Sequence, residues 1–210
     1  MIKRMVKDRV WKSNIVELGE EDANAATTTA EKVCALENNV YYYSEVSRSS
    51  CLQLNKLITK ISTELKTFAF LEDRDPAAIK LHINSFGGSV FAGLSSVDYI
   101  INAPVPTISI INGCAASAAT LMSVVASKRK MHQHSFMLIH QLSSHMWGKY
   151  TELQDDMKNN ELLMETIKSI YKNYTEIPPK ELDKILEHDL WWDAKTCLKY
   201  GLVDEIIYPV

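Results

Sequence analysis

The chain has 210 residues, 46% of them hydrophobic and 23% charged, with a formal net charge of −3. That length suits one domain with a sizeable core, and so small a charge excludes bulk electrostatic attraction to nucleic acid or to a membrane surface. No run of eighteen apolar residues exists, so nothing in the sequence reads as a bilayer span.

Residues 1–38 read as a mixed segment. Lys3, Arg4, Lys7, Arg9 and Lys12 are interrupted by Asp8 and Trp11. No apolar signal core follows them, which argues against secretion. Glu20 to Ala30 is acidic and then rich in alanine and threonine. Val40 to Val46 reads as a strand around three consecutive tyrosines. From Ser50 to Leu65 the apolar residues Leu54, Leu57, Ile58, Ile61 and Leu65 keep helical spacing. A charged loop from Leu71 to Pro76 follows. Next come a strand over 78–84, a helix over 88–102, a strand over 105–111, a helix over 117–128 and a strand over 135–140. A helix of about 24 residues is predicted from Thr151 to Tyr174, striped by Leu153, Met157, Leu163, Met164, Ile167, Ile170, Tyr171 and Tyr174. Pro178 and Pro179 end it and start a helix that reaches about His188. Asp193 can cap a last short helix that stops at Gly201. Alternating strands and helices predict an α/β domain with a largely parallel sheet. Cys34, Cys51, Cys114 and Cys197 are widely spaced with no Cys-x-x-Cys. That favours reduced thiols in a cytoplasmic protein over a disulfide frame or a zinc site.

Three strand ends carry the chemistry. A buried-type strand runs into Gly113-Cys-Ala-Ala-Ser117, a run of tiny residues with one hydroxyl, and an apolar helical pattern follows at once. A serine at such a turn has its hydroxyl at the positive end of the helix dipole. Small neighbours let other backbone approach it, as an acyl-transfer nucleophile requires. Taken alone, the same segment also reads as a helix-packing face with a serine cap. A second strand ends in Ile83-Asn-Ser-Phe-Gly-Gly88 and a third in His140. Serine, histidine and a paired-glycine turn supply a nucleophile, a base and a backbone donor for an oxyanion. A carboxylate should complete the set by holding the imidazole in one tautomer. His132, His134 and His145 lie near one another, but no carboxylate or cysteine keeps a ligand spacing with them, so no metal site is expected.

These segments resemble the Clp protease proteolytic subunit family of self-compartmentalising serine peptidases. The family's Ile-Asn-Ser-Pro-Gly-Gly motif corresponds to Ile83 to Gly88, and its Gly-x-Ala-Ala-Ser motif to Gly113 to Ser117. Its Met-Ile-His-Gln motif corresponds to Leu138 to Gln141, and its Tyr-Gly-Leu-Val-Asp stands intact at Tyr200 to Asp204. The resemblance runs from about Asn39 to the C-terminus and implies an α/β, ClpP/crotonase-like fold. That fold repeats strand-strand-helix units and carries a protruding handle helix, here about 143–176. It assigns Ser117 as nucleophile, His140 as base and Asp189, fifteen residues before Asp204, as orienting carboxylate. Trp191 and Trp192 are expected to lower the dielectric around Asp189. The Gly88 and Ala118 N–H groups would form the oxyanion hole, and Gly87, Gly88 and Leu142 would border substrate. Residues 1–38 depart from the family pattern and would be a propeptide or axial loop ahead of a peptidase domain over 39–210.

The resemblance further implies a heptameric ring of identical subunits, two such rings stacked as a tetradecamer, and unfolded protein substrates fed by an AAA+ unfoldase. This chain shows no Gly-x-x-x-x-Gly-Lys loop, so it would hold no cofactor and ATP would be consumed by the partner. Phe86 and Leu142 stand where the family has proline, both beside the cleft. Ser143 to Gly148 replaces a glycine-rich segment, and Leu190 follows Asp189 where arginine is common. Lys80 and His82 occupy positions that are often aromatic and line the unfoldase-docking pocket. These departures bear on ring stacking and partner docking and leave the triad intact; the alternative reading is a non-catalytic or regulatory subunit of a mixed Clp-type ring.

Overall fold

The computed structural model describes residues 33–209. Of the N-terminal segment, residues 1–32 lie outside the described residues; the rest of it does not stay apart from the domain. Val33–Leu36 forms β1, antiparallel to β2 (Asn39–Tyr42), and Val33 is buried in the core. The sheet therefore begins before the strand expected at Val40.

Helix α1 (Arg48–Glu72) runs seven residues beyond the Leu65 that its apolar spacing reached. Ser47 and Ser50 form a reciprocal cap at its start, each hydroxyl accepting from the other's backbone N–H. Asp73 ends it with a left-handed φ of 53°. Its buried face sets Leu54, Leu57, Ile58 and Ile61 against the sheet. Strand β3 (Ile79–Ser85) buries Ile79, Leu81 and Ile83 and exposes Lys80, the period-2 alternation of a half-covered strand. Helix α2 (Val90–Ile101) follows, then β4 (Thr107–Ala116), longer than expected, and α3 (Ala118–Val124).

The helix expected over 117–128 stops at Val124 because Lys128–His132 forms β5. Only Met131 of that strand is buried, so it carries no apolar signal. It is held instead from the side, by β8 (Glu205–Ile207). Lys128 and Lys130 pair with Glu205 at 2.8 and 2.9 Å, and the Arg129 guanidinium binds Asp204 and the Tyr174 and Gly201 carbonyls. Strand β6 (Phe136–Leu138) pairs with the far end of β4 and with β7 (Trp191–Trp192). The sheet order is β1-β2-β3-β4-β5-β8, with β6 and β7 continuing from β4. All neighbours are parallel except β1–β2 and β6–β7.

Helix α4 (Tyr150–Tyr174) is one long element whose stripe divides in two. Ile167 and Tyr171 are buried, with Met164, Ile170 and Tyr174 packed against the core. The first half protrudes: Tyr150, Met157 and Leu162 are exposed. Helices α5 (Pro179–Leu186) and α6 (Ala194–Lys199) close the chain, α6 capped by Asp193 through the Thr196 N–H at 2.8 Å.

The Arg129 cluster gives a stability prediction with a pH signature. Partial burial raises the Asp204 pKa, but hydrogen bonds from Arg129 outweigh it and hold the carboxyl below its usual range. A depressed folded-state pKa stabilises fully above the unfolded value, about 3.9, and loses that stabilisation as pH falls through the folded value. Arg129→Met should lower the unfolding free energy by about 2–3 kcal/mol at neutral pH, since charged hydrogen bonds are lost. Partial solvation of Asp204 keeps it from being larger. Denaturant titration should show the wild-type advantage shrinking below about pH 4; an advantage unchanged at pH 2 would remove Asp204 from the explanation.

Candidate active site

Sheet register assembles the site. Ala116 pairs with Leu138 in the parallel β4–β6 ladder, and the Ser117 N–H continues it by donating to the Leu138 carbonyl at 2.9 Å. In the antiparallel β6–β7 ladder Met137 faces Trp192 and Leu138 faces Trp191. Extending that register two residues sets His140 opposite Asp189. The Gln141 N–H clips the same segment to the Leu186 carbonyl at 2.7 Å, just ahead of Asp189. The result is a 3.1 Å contact from His140 Nδ1 to Asp189 Oδ1. A carboxylate only accepts, so Nδ1 carries the proton and Nε2 is left as the acceptor.

The environment of Asp189 differs from expectation. Its side chain is 78% exposed and that of His140 is 23% exposed. The tryptophans do not enclose it. Trp192 packs on Tyr200 at 4.8 Å between ring centroids, and the half-exposed Trp191 meets the Phe86 ring edge-on at 6.2 Å. Successive strand residues point to opposite faces, so a Trp-Trp pair cannot wall one carboxylate from both sides. Phe86 thus bridges the glycine turn to β7.

Ser117 sits between β4 and α3 with φ 54° and ψ −129°, a conformation costly for a residue with a Cβ. Its hydroxyl makes no cap hydrogen bond, and none joins it to His140. Such bonds commonly tighten only when substrate is bound. Ser117 and His140 face one cleft of about 300 Å³, lined also by Gly88, Ala118, Leu121, Leu142, Ile167 and Tyr171.

The paired glycines are held against this serine. A Cβ on Gly87 (φ 94°) would lie 2.6 Å from Ser117 Cβ and 2.7 Å from the Ala116 carbonyl. One on Gly88 (φ 145°) would strike the Val46 carbonyl. Val46 holds the turn through its N–H to the Gly87 carbonyl (2.8 Å) and its carbonyl to the Ser89 N–H (2.7 Å). That bridge leaves the Gly88 N–H unused. Ala118, as first helical residue, has no intrahelical acceptor for its own N–H. The Leu142 N–H is tied to Met164 Sδ of α4 at 3.0 Å. Gly87→Ala should reduce activity by roughly 100-fold or more, because shifting a reacting group by about 1 Å costs that much. Turnover at near-wild-type rates in this variant would show that the turn is not in close contact with the working serine.

Thr120 and Tyr171 also belong to the site. Thr120 Oγ1 donates to the Ser117 carbonyl at 2.6 Å and meets the Tyr171 hydroxyl at 2.6 Å. Tyr171 reads in sequence as one member of an apolar stripe, and nothing in that periodicity distinguishes its hydroxyl. No group of three or more potential metal-ligating side chains occurs among the described residues.

A family model described as Clp protease matches residues 8–209. The chain belongs to the Clp protease family. Its match begins well ahead of Asn39, so the family pattern reaches into the N-terminal segment that the motifs left out. An ATP-dependent Clp protease proteolytic subunit from Deinococcus radiodurans is 33% identical over 140 residues, covering 65% of this chain and 69% of that protein. One from Porphyromonas gingivalis is 29% identical, covering 66% and 64%. Subunit 1 from Chlamydia pneumoniae is 31% identical over 154 residues, covering 70% and 80%. Among solved structures, a point mutant of ClpP1 from Listeria monocytogenes superposes with a TM-score of 0.70 at 23% identity, covering 82% of this chain and 92% of that one. The fold is accordingly the ClpP α/β fold, and the chain is a ClpP-type serine peptidase. No helix among the described residues is long and apolar enough to cross a membrane.

Proposed function

We propose that this chain is the proteolytic subunit of a self-compartmentalising Clp-type protease and hydrolyses unfolded proteins and peptides with Ser117, His140 and Asp189. The observation that carries the reading is the 3.1 Å His140–Asp189 contact on the wall of the cleft that also holds the strained Ser117. His140 Nε2 takes the Ser117 proton as Oγ attacks the scissile carbonyl. The imidazolium then protonates the leaving amine, and water repeats the cycle on the acyl-enzyme. Asp189 holds the ring and stabilises its charge. The Gly88 and Ala118 N–H groups receive the oxyanion. Substrate lies along Gly87, Gly88 and Leu142. The chain holds no cofactor, and ATP is spent by a partner AAA+ unfoldase. The site of action is the cytoplasm, in keeping with four free cysteines.

A fluorophosphonate incubated with the purified protein should add one phosphonyl group per chain, located by tandem mass spectrometry at Ser117. A chain that neither labels nor cleaves any peptide would instead be a non-catalytic ring subunit.

The working form is a heptameric ring, two of which stack through α4. The exposed Tyr150, Met157 and Leu162 support burial there, at about 1.5–3 kcal/mol for each large apolar side chain fully covered. Leu190 is exposed and offers no charge to a facing ring. Lost surface ion pairs cost only about 0–1 kcal/mol each, so stacking persists but loosens. Native mass spectrometry across a dilution series should show tetradecamers giving way to heptamers. A tetradecamer at every concentration contradicts the loosened stack; a monomer at every concentration contradicts the ring.

A further inference from the structure

The Ser117 carbonyl is held twice from Thr120, by its N–H at 2.9 Å and by Oγ1 at 2.6 Å. Thr120 has one hydroxyl proton, and the Ser117 carbonyl takes it. The Tyr171 hydroxyl, 2.6 Å from Thr120 Oγ1, must therefore be the donor in that contact. Both hydroxyls are buried: Thr120 fully, and Tyr171 with 1% exposed. Burial also pushes the Tyr171 phenol far above the ordinary tyrosine range, so its proton is retained at any working pH. The proton order thus runs one way, from α4 through α3 to the turn that carries the serine.

The Ser117 carbonyl and the Ala118 N–H belong to the same peptide unit. That unit is planar and trans, so the direction of the carbonyl sets the opposite direction of the N–H. Holding the carbonyl toward Thr120 aims the Ala118 N–H away from it. A Cβ placed on Gly87 would lie 3.2 Å from that amide nitrogen, so the N–H stands beside the paired glycines. Ser117 also sits at positive φ, where an unrestrained peptide would rotate toward an ordinary conformation.

We infer that Tyr171 and Thr120 are positioning residues: a hydroxyl relay from the long helix α4 that locks the 117–118 peptide and so aims one oxyanion donor. This rests on the serine-peptidase reading above. It gives α4 a task beyond packing, since a shift of that helix at Tyr171 alters the donor that meets the transition state. An interaction realised only in the transition state moves kcat and leaves substrate binding alone. Thr120→Val should lower kcat roughly 10- to 100-fold, less than the roughly 100- to 1,000-fold loss of an oxyanion donor removed outright because the donor is misaimed and still present, with KM within about twofold of wild type. Thr120→Ser, which keeps the hydroxyl, should recover most of kcat. Tyr171→Phe should lower kcat in the same direction. The double variant Thr120→Val/Tyr171→Phe should be no slower than Thr120→Val alone, because both changes break one chain.

The measurement uses the full-length protein, with steady-state cleavage of a fluorogenic peptide and the rate of fluorophosphonate labelling at Ser117 as parallel readouts. Circular dichroism and native mass check that each variant keeps its fold and assembly. If Thr120→Val does not fold, Tyr171→Phe, which removes a single oxygen atom, carries the same test. Wild type labelled at Ser117 with Thr120→Val and Tyr171→Phe equally fast would overturn the relay and leave the peptidase reading standing. The relay alone also fails if the variants raise KM without lowering kcat, or if Thr120→Ser is as slow as Thr120→Val. Wild type that is not labelled at Ser117 and does not cleave peptide overturns both.

Discussion

Ser117→Ala abolishes fluorophosphonate labelling and lowers peptide cleavage by about 10⁶-fold, the scale on which a triad nucleophile acts. The variant keeps its Cβ, so neither the backbone strain at φ 54° nor the Gly87 contact changes, and the fold should survive intact. Only the oxygen that forms the acyl bond is gone. Residual catalysis above the uncatalysed rate can come from the backbone donors alone. Intact-mass analysis after labelling, with active-site peptide mapping, distinguishes the outcomes. Label that persists in the variant, or that is found at Ser85 or Ser89 in the wild type, removes Ser117 from its role. Ser85 is a poor substitute on physical grounds. It is buried, and its hydroxyl already accepts from the Gly87 N–H at 3.1 Å.

The second large effect is at Asp189. Asp189→Asn should lower turnover by about 10²–10⁴-fold while leaving the protein folded. An asparagine presents either an N–H or a carbonyl to Nδ1, and the N–H choice forces the tautomer that cannot accept the serine proton. The loss reaches about 10⁴-fold when the carboxylate is buried. Here it should fall short of that limit, because 78% exposure lets water compete for both partners. Only part of the loss is then a wrong tautomer; the rest is a less charged neighbour for the imidazolium. Single-turnover acylation by a peptide ester separates the steps. A variant that acylates as fast as wild type would mean that His140 is oriented by something other than Asp189. Asp193 does not readily fill that role, since its carboxylate already caps α6 through Thr196, which holds its pKa below the usual range.

Sequence and structure divide the work unevenly along the chain. The apolar periodicity of α1, β3, α2 and α4 is legible because each buries one face, and burial at regular spacing leaves a pattern. Strand β5 has no such pattern. Its Lys128, Arg129 and Lys130 look like a helix end until Asp204 and Glu205, 75 residues away, arrive on the neighbouring strand to pair with them. Strand β7 is two residues long, and Trp191–Trp192 by itself suggests only bulk.

For the site, local motifs pointed to Ser117, His140 and the Gly87–Gly88 turn, since strand-end glycines and a serine among tiny residues are short-range features, whereas Asp189 was assigned only by the family resemblance, fifteen residues before Asp204. The distance between His140 and Asp189 is a different kind of fact. It follows from the β6–β7 register and the Gln141–Leu186 clip, which join segments almost fifty residues apart by backbone hydrogen bonds that any side chains could make. The solvation of Asp189 was likewise undetermined by its neighbours in sequence, because the strand's pleat turns Trp191 and Trp192 to opposite faces. Tyr171 shows the same division. Helical spacing required a large residue there to fill the core, but only the packing of α4 on α3 decided that its hydroxyl would end 2.6 Å from Thr120, one bond away from the carbonyl of the candidate nucleophile.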